Sequence, residues 1–456
     1  MSRHVSAQGP GERRWWAPDD ASAVTGTTAA RWAFGGLIVF TATLLLAPQE
    51  SYPALRPLHL PLLSASMALI MAVSYHWKRQ MPLLRWRELW FAFGLGTWAI
   101  VTTPFSYWPG GSVAELTGMF AKSLAVFWLI AVVLDQRRKM QWFLWTLAIA
   151  SVPLAITALR RYASGEMAAS VEEIKSVVGY SGGLTANPND LALLLNLLLP
   201  FSLGLLLAER RASLRALLAA IIALNAAAIV VTFSRGAFLT LTLIIFIYLW
   251  RLFSRGAAAL GFAIAAGGFV LWLMMPETFQ EHLGTTVNIE ADETGSAQAR
   301  FRDMLAALHV IWSHPIFGAG LGQHVIPLND VRGETWTFVH NVYLQYASDL
   351  GLPGVTLFAA LVLGCWRRAR QAMQSAVRSG DEWLSRVAEA ASVSILAFAF
   401  AAMFHPVAYH FYFFYVGGTA VALVQLTGES HASPSEADGM VAHSVLGRSV
   451  ARRNVG

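Results

Sequence analysis

Long apolar stretches, separated by short charged clusters, recur along almost the whole chain. Twelve such runs lie near residues 33–47, 59–75, 88–104, 115–134, 140–157, 188–207, 214–232, 236–253, 257–275, 345–366, 387–404 and 408–426. About 20 apolar residues, at roughly 1.5 Å each, cross a hydrocarbon core of about 30 Å as a helix. The pattern therefore predicts an all-α fold, a polytopic transmembrane helical bundle of about twelve spans with a long outer loop before the tenth. A β-barrel would need alternating segments of about ten residues, and none occur. The first run follows a polar tail and has no small-residue cleavage site after it, so it reads as a retained helix. The expected divisions are a tail at 1–31, a bundle at 32–426 with outer loops at 158–187 and 276–344, and a tail at 427–456 that is expected to be disordered.

Charge adds an orientation. Placing the N-terminus inside puts 24 of the 33 Lys and Arg on alternate, inner segments, eight on outer segments, and Lys122 within a span. That bias predicts cytoplasmic termini, so both long loops are expected on the outer side of the membrane. The sequence pI of about 9.6 is then mostly a topology signal, and nucleic-acid binding is a poor reading of it. Composition agrees: 56% of residues are hydrophobic, only 13% are charged, and the 17 Trp suit interfacial belts against membrane lipids. The single cysteine, Cys365, excludes a disulfide framework and reads as inert packing.

The 276–344 loop is too long for a simple connection and is expected to carry function. Within it, AQARFRDMLAALHVIW (297–312) spaces apolar residues at 301, 304, 305, 308, 311 and 312, with Arg302 and His309 on the polar side. This predicts a helix lying along the outer membrane surface or capping the bundle, ended by Pro315 and the glycines of GAGLG (318–322). GAGLG follows a helix and lacks phosphate-loop spacing, which argues against a nucleotide site. No Asp-x-Asp pair or His/Cys cluster with ligand spacing faces outward, so no metal and no cofactor is expected.

What gathers at the outer side is a set of cations. Arg235 sits in TFSRGAF (232–238), a tight hairpin; Arg302 comes from the long loop; His340 and Asn341 open the tenth span. Each has a bland reading: interfacial snorkelling for Arg235, a solvated helix face for Arg302, a hydrogen-bonded helix-start residue for His340. An Arg near the membrane costs a few kcal/mol on insertion scales, so such residues tend to have a partner or a role.

Four stretches, GLTANPNDLALLLNLLLPF (183–201), TFSRGAFLTL (232–241), ARFRDMLAALHVIWSHPIFGAGLGQ (299–323) and HNVYLQYASDLGLPG (340–354), together resemble the O-antigen ligase and O-antigen polymerase superfamily of bacterial membrane glycosyltransferases. The likeness covers roughly residues 180–366. It implies an undecaprenyl-diphosphate-linked oligosaccharide donor and a glycan or lipid A-core acceptor, with other polysaccharide assembly proteins as further partners. It also implies roles. Arg235 and Arg302 would hold the diphosphate by two-pronged, charge-assisted hydrogen bonds, with Arg302 also catalytic in stabilising the leaving group. His340 would act as general base or orienting group on the acceptor hydroxyl, and Asn341, Asn187 and Asn189 would bind substrate. One departure from the relatives that glycosylate proteins is the absence of a large domain after the last span. A twelve-span transporter, above all a lipid-linked oligosaccharide flippase, is the alternative. It would place ionisable residues near the bilayer midplane and repeat its halves.

Overall fold

A computed structural model describes residues 28–165, 185, 187–254, 261–262, 266, 268, 296–333 and 338–427. The apolar runs within them are helical: α1 (Thr28–Leu46), α2 (Leu60–Lys78), α3 (Arg87–Thr102), α4 (Pro109–Val133, with a π-helical turn at Leu116–Phe120), α5 (Arg137–Ser164), α6 (Pro188–Ala208), α7 (Ala212–Val231) and α8 (Arg235–Ser254). After them come α9 (Ser296–Ser313), α10 (Val325–Arg332), α11 (Val342–Ser379), α12 (Glu382–Ala401) and α13 (Phe411–Leu423). No strand occurs among the described residues.

Eight of the described helices are long and apolar enough to cross a membrane, against the twelve runs expected. The chain is a multi-pass membrane protein. At 16 residues, α3 reaches only about 24 Å and is prolonged by a 3-10 turn at Thr103–Phe105. The expected run at 257–275 lies largely outside the described residues, as do most of the two tails and parts of both outer loops. Of the 158–187 loop, residues 158–164 are helical, the last turns of α5, which Gly165 ends at φ 71°. In the 276–344 loop the described part holds α9 and α10, so it is structured and not a plain connection.

At the centre stands α6, buried along most of its length between α5, α7, α8 and α12. Polar side chains join these helices where apolar contact alone gives little specificity in lipid. The Asn196 amide donates to the carbonyls of Ala192 (3.0 Å) and Ala237 (3.1 Å), and Asn225 donates to Ser151 Oγ (2.9 Å). At the ends of the bundle that carry the basic clusters, Arg251 meets the buried Glu389 at 2.9 Å and Arg368 meets Glu88 at 3.0 Å. Lys122 is exposed on α4, and Cys365 is fully buried as inert packing would require.

One break organises the outer half. α11 is kinked at Gly351 (φ 67°, ψ −173°), and Pro353 has no N–H to continue the ladder. The freed carbonyls are all taken from outside the helix. Ala319 N–H donates to Ser348 (2.7 Å), Gly320 N–H to Asp349 (2.9 Å), and the Trp98 indole to Leu350 (2.8 Å). In return Leu352 N–H donates to the Pro315 carbonyl at 2.8 Å. The GAGLG turn is thus a cap for a broken helix. Its close approach needs glycine: a Cβ at Gly320 would fall 2.0 Å from Ser106 Oγ, and one at Gly351 2.1 Å from the Ile316 carbonyl oxygen.

Gly351 lies in a backbone region essentially closed to other residues. We expect Gly351→Ala to destabilise the detergent-solubilised protein by roughly 3 kcal/mol or more. Gly380→Ala, at φ 73° with nothing within 4 Å of the added methyl, should cost only about 1 kcal/mol. Thermal unfolding of the two variants checks this, and equal losses would contradict the account of the break.

Candidate active site

The connection between α12 and α13, residues 402–410, gathers the ends of the bundle opposite the basic clusters. Val342 N–H, at the start of α11, donates to the Ala402 carbonyl at 2.8 Å. Gly236, next to Arg235 on α8, faces Phe404 so closely that an added Cβ would sit 3.0 Å from the Phe404 Cβ. His405 places Nε2 3.3 Å from the Asn189 carbonyl in the first turn of α6 and Nδ1 2.9 Å from the Ala401 carbonyl. The charge of Arg300, on α9, acts on the same imidazole. Three of the four sequence stretches singled out above therefore meet one short segment, and the charge of the fourth is felt there through Arg300.

The residues around this mouth are set by local rules. Asn341 is the N-cap of α11, its Oδ1 accepting from Tyr343 N–H (2.9 Å) and Leu344 N–H (3.1 Å). Asn187 caps α6 in the same way, accepting from Asn189 N–H at 2.8 Å, with Pro188 at the first helical position. Arg235 is half-buried at the start of α8, after Phe233 in a left-handed conformation (φ 55°), and His340 is half-buried just before α11. Arg302 differs: it is exposed on the flank of α9, and the cation acting on His405 is its neighbour Arg300.

Residues 218–359 match the family model described as O-Antigen ligase. That segment, under half of the chain, is similar to the O-antigen ligase family. A comparison with curated proteins finds no match. The O-antigen ligase segment includes Arg235, Arg302, His340 and Asn341, whereas Asn187, Asn189 and the 402–410 connection lie outside it.

Of the two placements expected for α9, along the membrane surface or capping the bundle, its burial pattern agrees with the first. Asp303, Ala306, Ala307 and Val310 are buried against α10 and α11, and Asp303 pairs with Arg332 of α10. The large apolar residues Phe301, Met304, Leu305, Leu308 and Trp312 face away and are exposed. The spacing that predicts the helix is right, but the apolar stripe points out of the protein, as a surface immersed in lipid would.

A buried clasp lies behind the mouth, and neither half was singled out from the sequence. His324, two residues after GAGLG, donates to Asp349 Oδ1 from its backbone N–H (2.7 Å) and holds Nδ1 2.9 Å from the same oxygen. Tyr409 donates its hydroxyl to Asp349 Oδ2 at 2.7 Å. His324 and Asp349 have no exposed side-chain surface, so they cannot touch a glycan directly. They tie the GAGLG turn, α11 and the 402–410 connection together, and Tyr346 adds a hydroxyl bond to the Ala408 carbonyl at 2.7 Å. An acid inside an apolar helix was a readable signal for Asp349. Its partners, 25 and 60 residues away, were not. Among the described residues no group of three or more His, Cys, Asp or Glu is arranged to hold a metal.

Burial holds the His405 ring below its ordinary value of 6.5, and Arg300 pushes the same way; the carbonyls of Ala401 and Asn189 oppose them by favouring the protonated ring. Burial lowers His410 as well. For a histidine kept neutral in the fold, the unfolded chain takes up the proton first. Stability should be full above about pH 6.5 and fall as pH drops through that value. We expect His405→Gln to flatten this decline in unfolding free energy; an unchanged slope would contradict it. Tyr409→Phe should cost about 1.5–3 kcal/mol by removing a hydrogen bond to a charged group, measured by the same unfolding assay.

Proposed function

We propose that the chain is a membrane glycosyltransferase of O-antigen or exopolysaccharide assembly, moving a glycan from an undecaprenyl-diphosphate-linked donor to a sugar hydroxyl at the periplasmic face. The observation that supports this reading is the meeting of the α6, α8 and α11 stretches at the 402–410 connection, with Arg235 at the start of α8 and His340 just before α11. The family match supports the class, and the inner-segment charge bias supports cytoplasmic termini in a bacterial inner membrane.

Breaking the glycosidic bond leaves negative charge on the diphosphate. Arg235 and Arg302 carry permanent charge and a planar fork of donors that matches phosphate oxygens. At a partly dry interface such groups stabilise a leaving group more than they would in water. His340 takes the proton from the acceptor hydroxyl as that oxygen attacks the anomeric carbon. Asn341, its Oδ1 committed to the cap, would use its amide N–H groups to hold either the His340 ring or a sugar hydroxyl. Asn187 and Asn189 border the glycan from α6. The diphosphate charge is met by guanidinium groups, so the reaction needs no divalent metal.

His340→Ala should lower the transfer rate by about 10²–10⁴-fold while leaving donor binding nearly intact. Arg235→Ala and Arg302→Ala should each nearly abolish transfer in protein that still inserts, with Lys restoring only part. Turnover of a purified lipid-linked donor, in excess chelator, measures all three. Normal transfer by His340→Ala would overturn its role as base, and no transfer by the unaltered protein would favour a flippase. Topology is checked separately: reporters fused after residues 295 and 375 should report opposite sides.

A further inference from the structure

At the opposite end of α5, α6 and α12 from the mouth, a cavity of about 920 Å³ opens between the start of α5, the α6–α7 hairpin and the α11–α12 hairpin. Nothing in the glycosyltransferase reading uses it. Its edge carries four guanidinium groups, from Arg137, Arg138, Arg210 and Arg211, and three acids face them. Each acid has a prior partner. Asp381 pairs with Arg137 at 3.1 Å, Glu209 accepts from the backbone N–H groups of Arg210 (2.9 Å) and Arg211 (3.0 Å), and Glu382 lies 3.7 Å from Arg386. Arg137 also stacks over Trp383, 4.6 Å from the ring centre. The site is left with an excess of positive charge, and Arg138 and Arg210 are exposed at its rim.

The deeper wall is of a different kind. Trp142, Trp145 and Ile149 follow Arg138 down one side of α5, and Leu214 and Leu217 of α7 oppose them. Trp142, Ile149 and Leu217 remain about half exposed. From Arg138 to Ile149 the helix descends about 16 Å. Charge at the surface and an apolar ladder running into the bilayer reproduce the polarity of a lipid, whereas a soluble phosphate compound would meet polar groups throughout.

We propose that this cavity binds an anionic phospholipid of the leaflet opposite the mouth, its phosphate held by Arg138 and Arg210 and its acyl chains lying along Trp142, Ile149 and Leu217. Basic pockets between transmembrane helices on the cytoplasmic side suit such headgroups. Naming that leaflet the inner one rests on the orientation proposed above; the binding does not.

Native mass spectrometry of the full chain, released from micelles holding equimolar phosphatidylglycerol and phosphatidylcholine with matched chains, tests this. The protein should retain about tenfold or more phosphatidylglycerol over phosphatidylcholine. Excess inorganic phosphate or glycerol phosphate should not displace it. Arg138→Gln with Arg210→Gln should bring the ratio near one, while Arg215→Gln, which removes a charge of the same hairpin outside the cavity, should leave it. If the double variant does not fold, Ile149→Ser should lower retention of the anionic lipid by itself. Equal retention of both lipids, displacement by free phosphate, or a ratio unchanged in the variants would overturn the proposal. The readout involves no glycan transfer, so it stands or falls apart from the enzymatic reading.

Discussion

The outer half of this protein depends on a helix that is broken and then repaired. A gap in the hydrogen-bond ladder of a membrane helix is tolerated only where protein groups satisfy the freed carbonyls. Here the Gly351 break is met by two backbone N–H groups of the GAGLG turn and by the Trp98 indole, and the turn receives the Leu352 N–H in exchange. That exchange fixes the turn against α11, and with it the position of His324, which can then reach Asp349. This exchange of backbone hydrogen bonds holds the described part of the long loop to the bundle.

The same logic carries outward to the mouth. Asp349 receives His324 on one oxygen and Tyr409 on the other, so a single buried carboxylate links the turn to the connection that touches α6, α8 and α11. A site that stabilises developing charge works through preorganised groups that need not rearrange during the reaction. Within the segment similar to O-antigen ligases, the half-buried His340 and Arg235 are borne by elements fixed in this way. Arg302 belongs to a helix held by Asp303, Arg332 and a row of small residues, with its broad apolar face outward. Bilayer contact on that face and protein contact on the other would set the depth of the cation.

Several features were legible in the sequence because a single local rule governs them. Apolar runs give helices; the caps at Asn187 and Asn341 obey an equally local rule, a side-chain acceptor before a helix start, although both residues were read from the sequence as binding substrate. The 297–312 spacing gives a helix but not its orientation. Periodicity says which residues share a face; in a membrane either lipid or protein can cover it. The clasp and the 402–410 hub were not legible for a different reason. Most of their contacts run through backbone carbonyls and N–H groups, which leave no residue signature, and Asp349 finds partners only once the Gly351 break has brought the turn to it. His405 stands in a short stretch between two apolar runs, with nothing in its spacing to mark it.

The central claim is that a lipid diphosphate binds where those outer ends meet. Site-specific photo-crosslinking tests it most directly, with a photoreactive side chain introduced in place of Phe404 and, as a control, in place of Trp383 at the opposite face. The account predicts that a lipid-diphosphate-linked oligosaccharide is captured from position 404 and not from 383. Capture from 383 alone, or from neither position in protein that still transfers glycan, would contradict it.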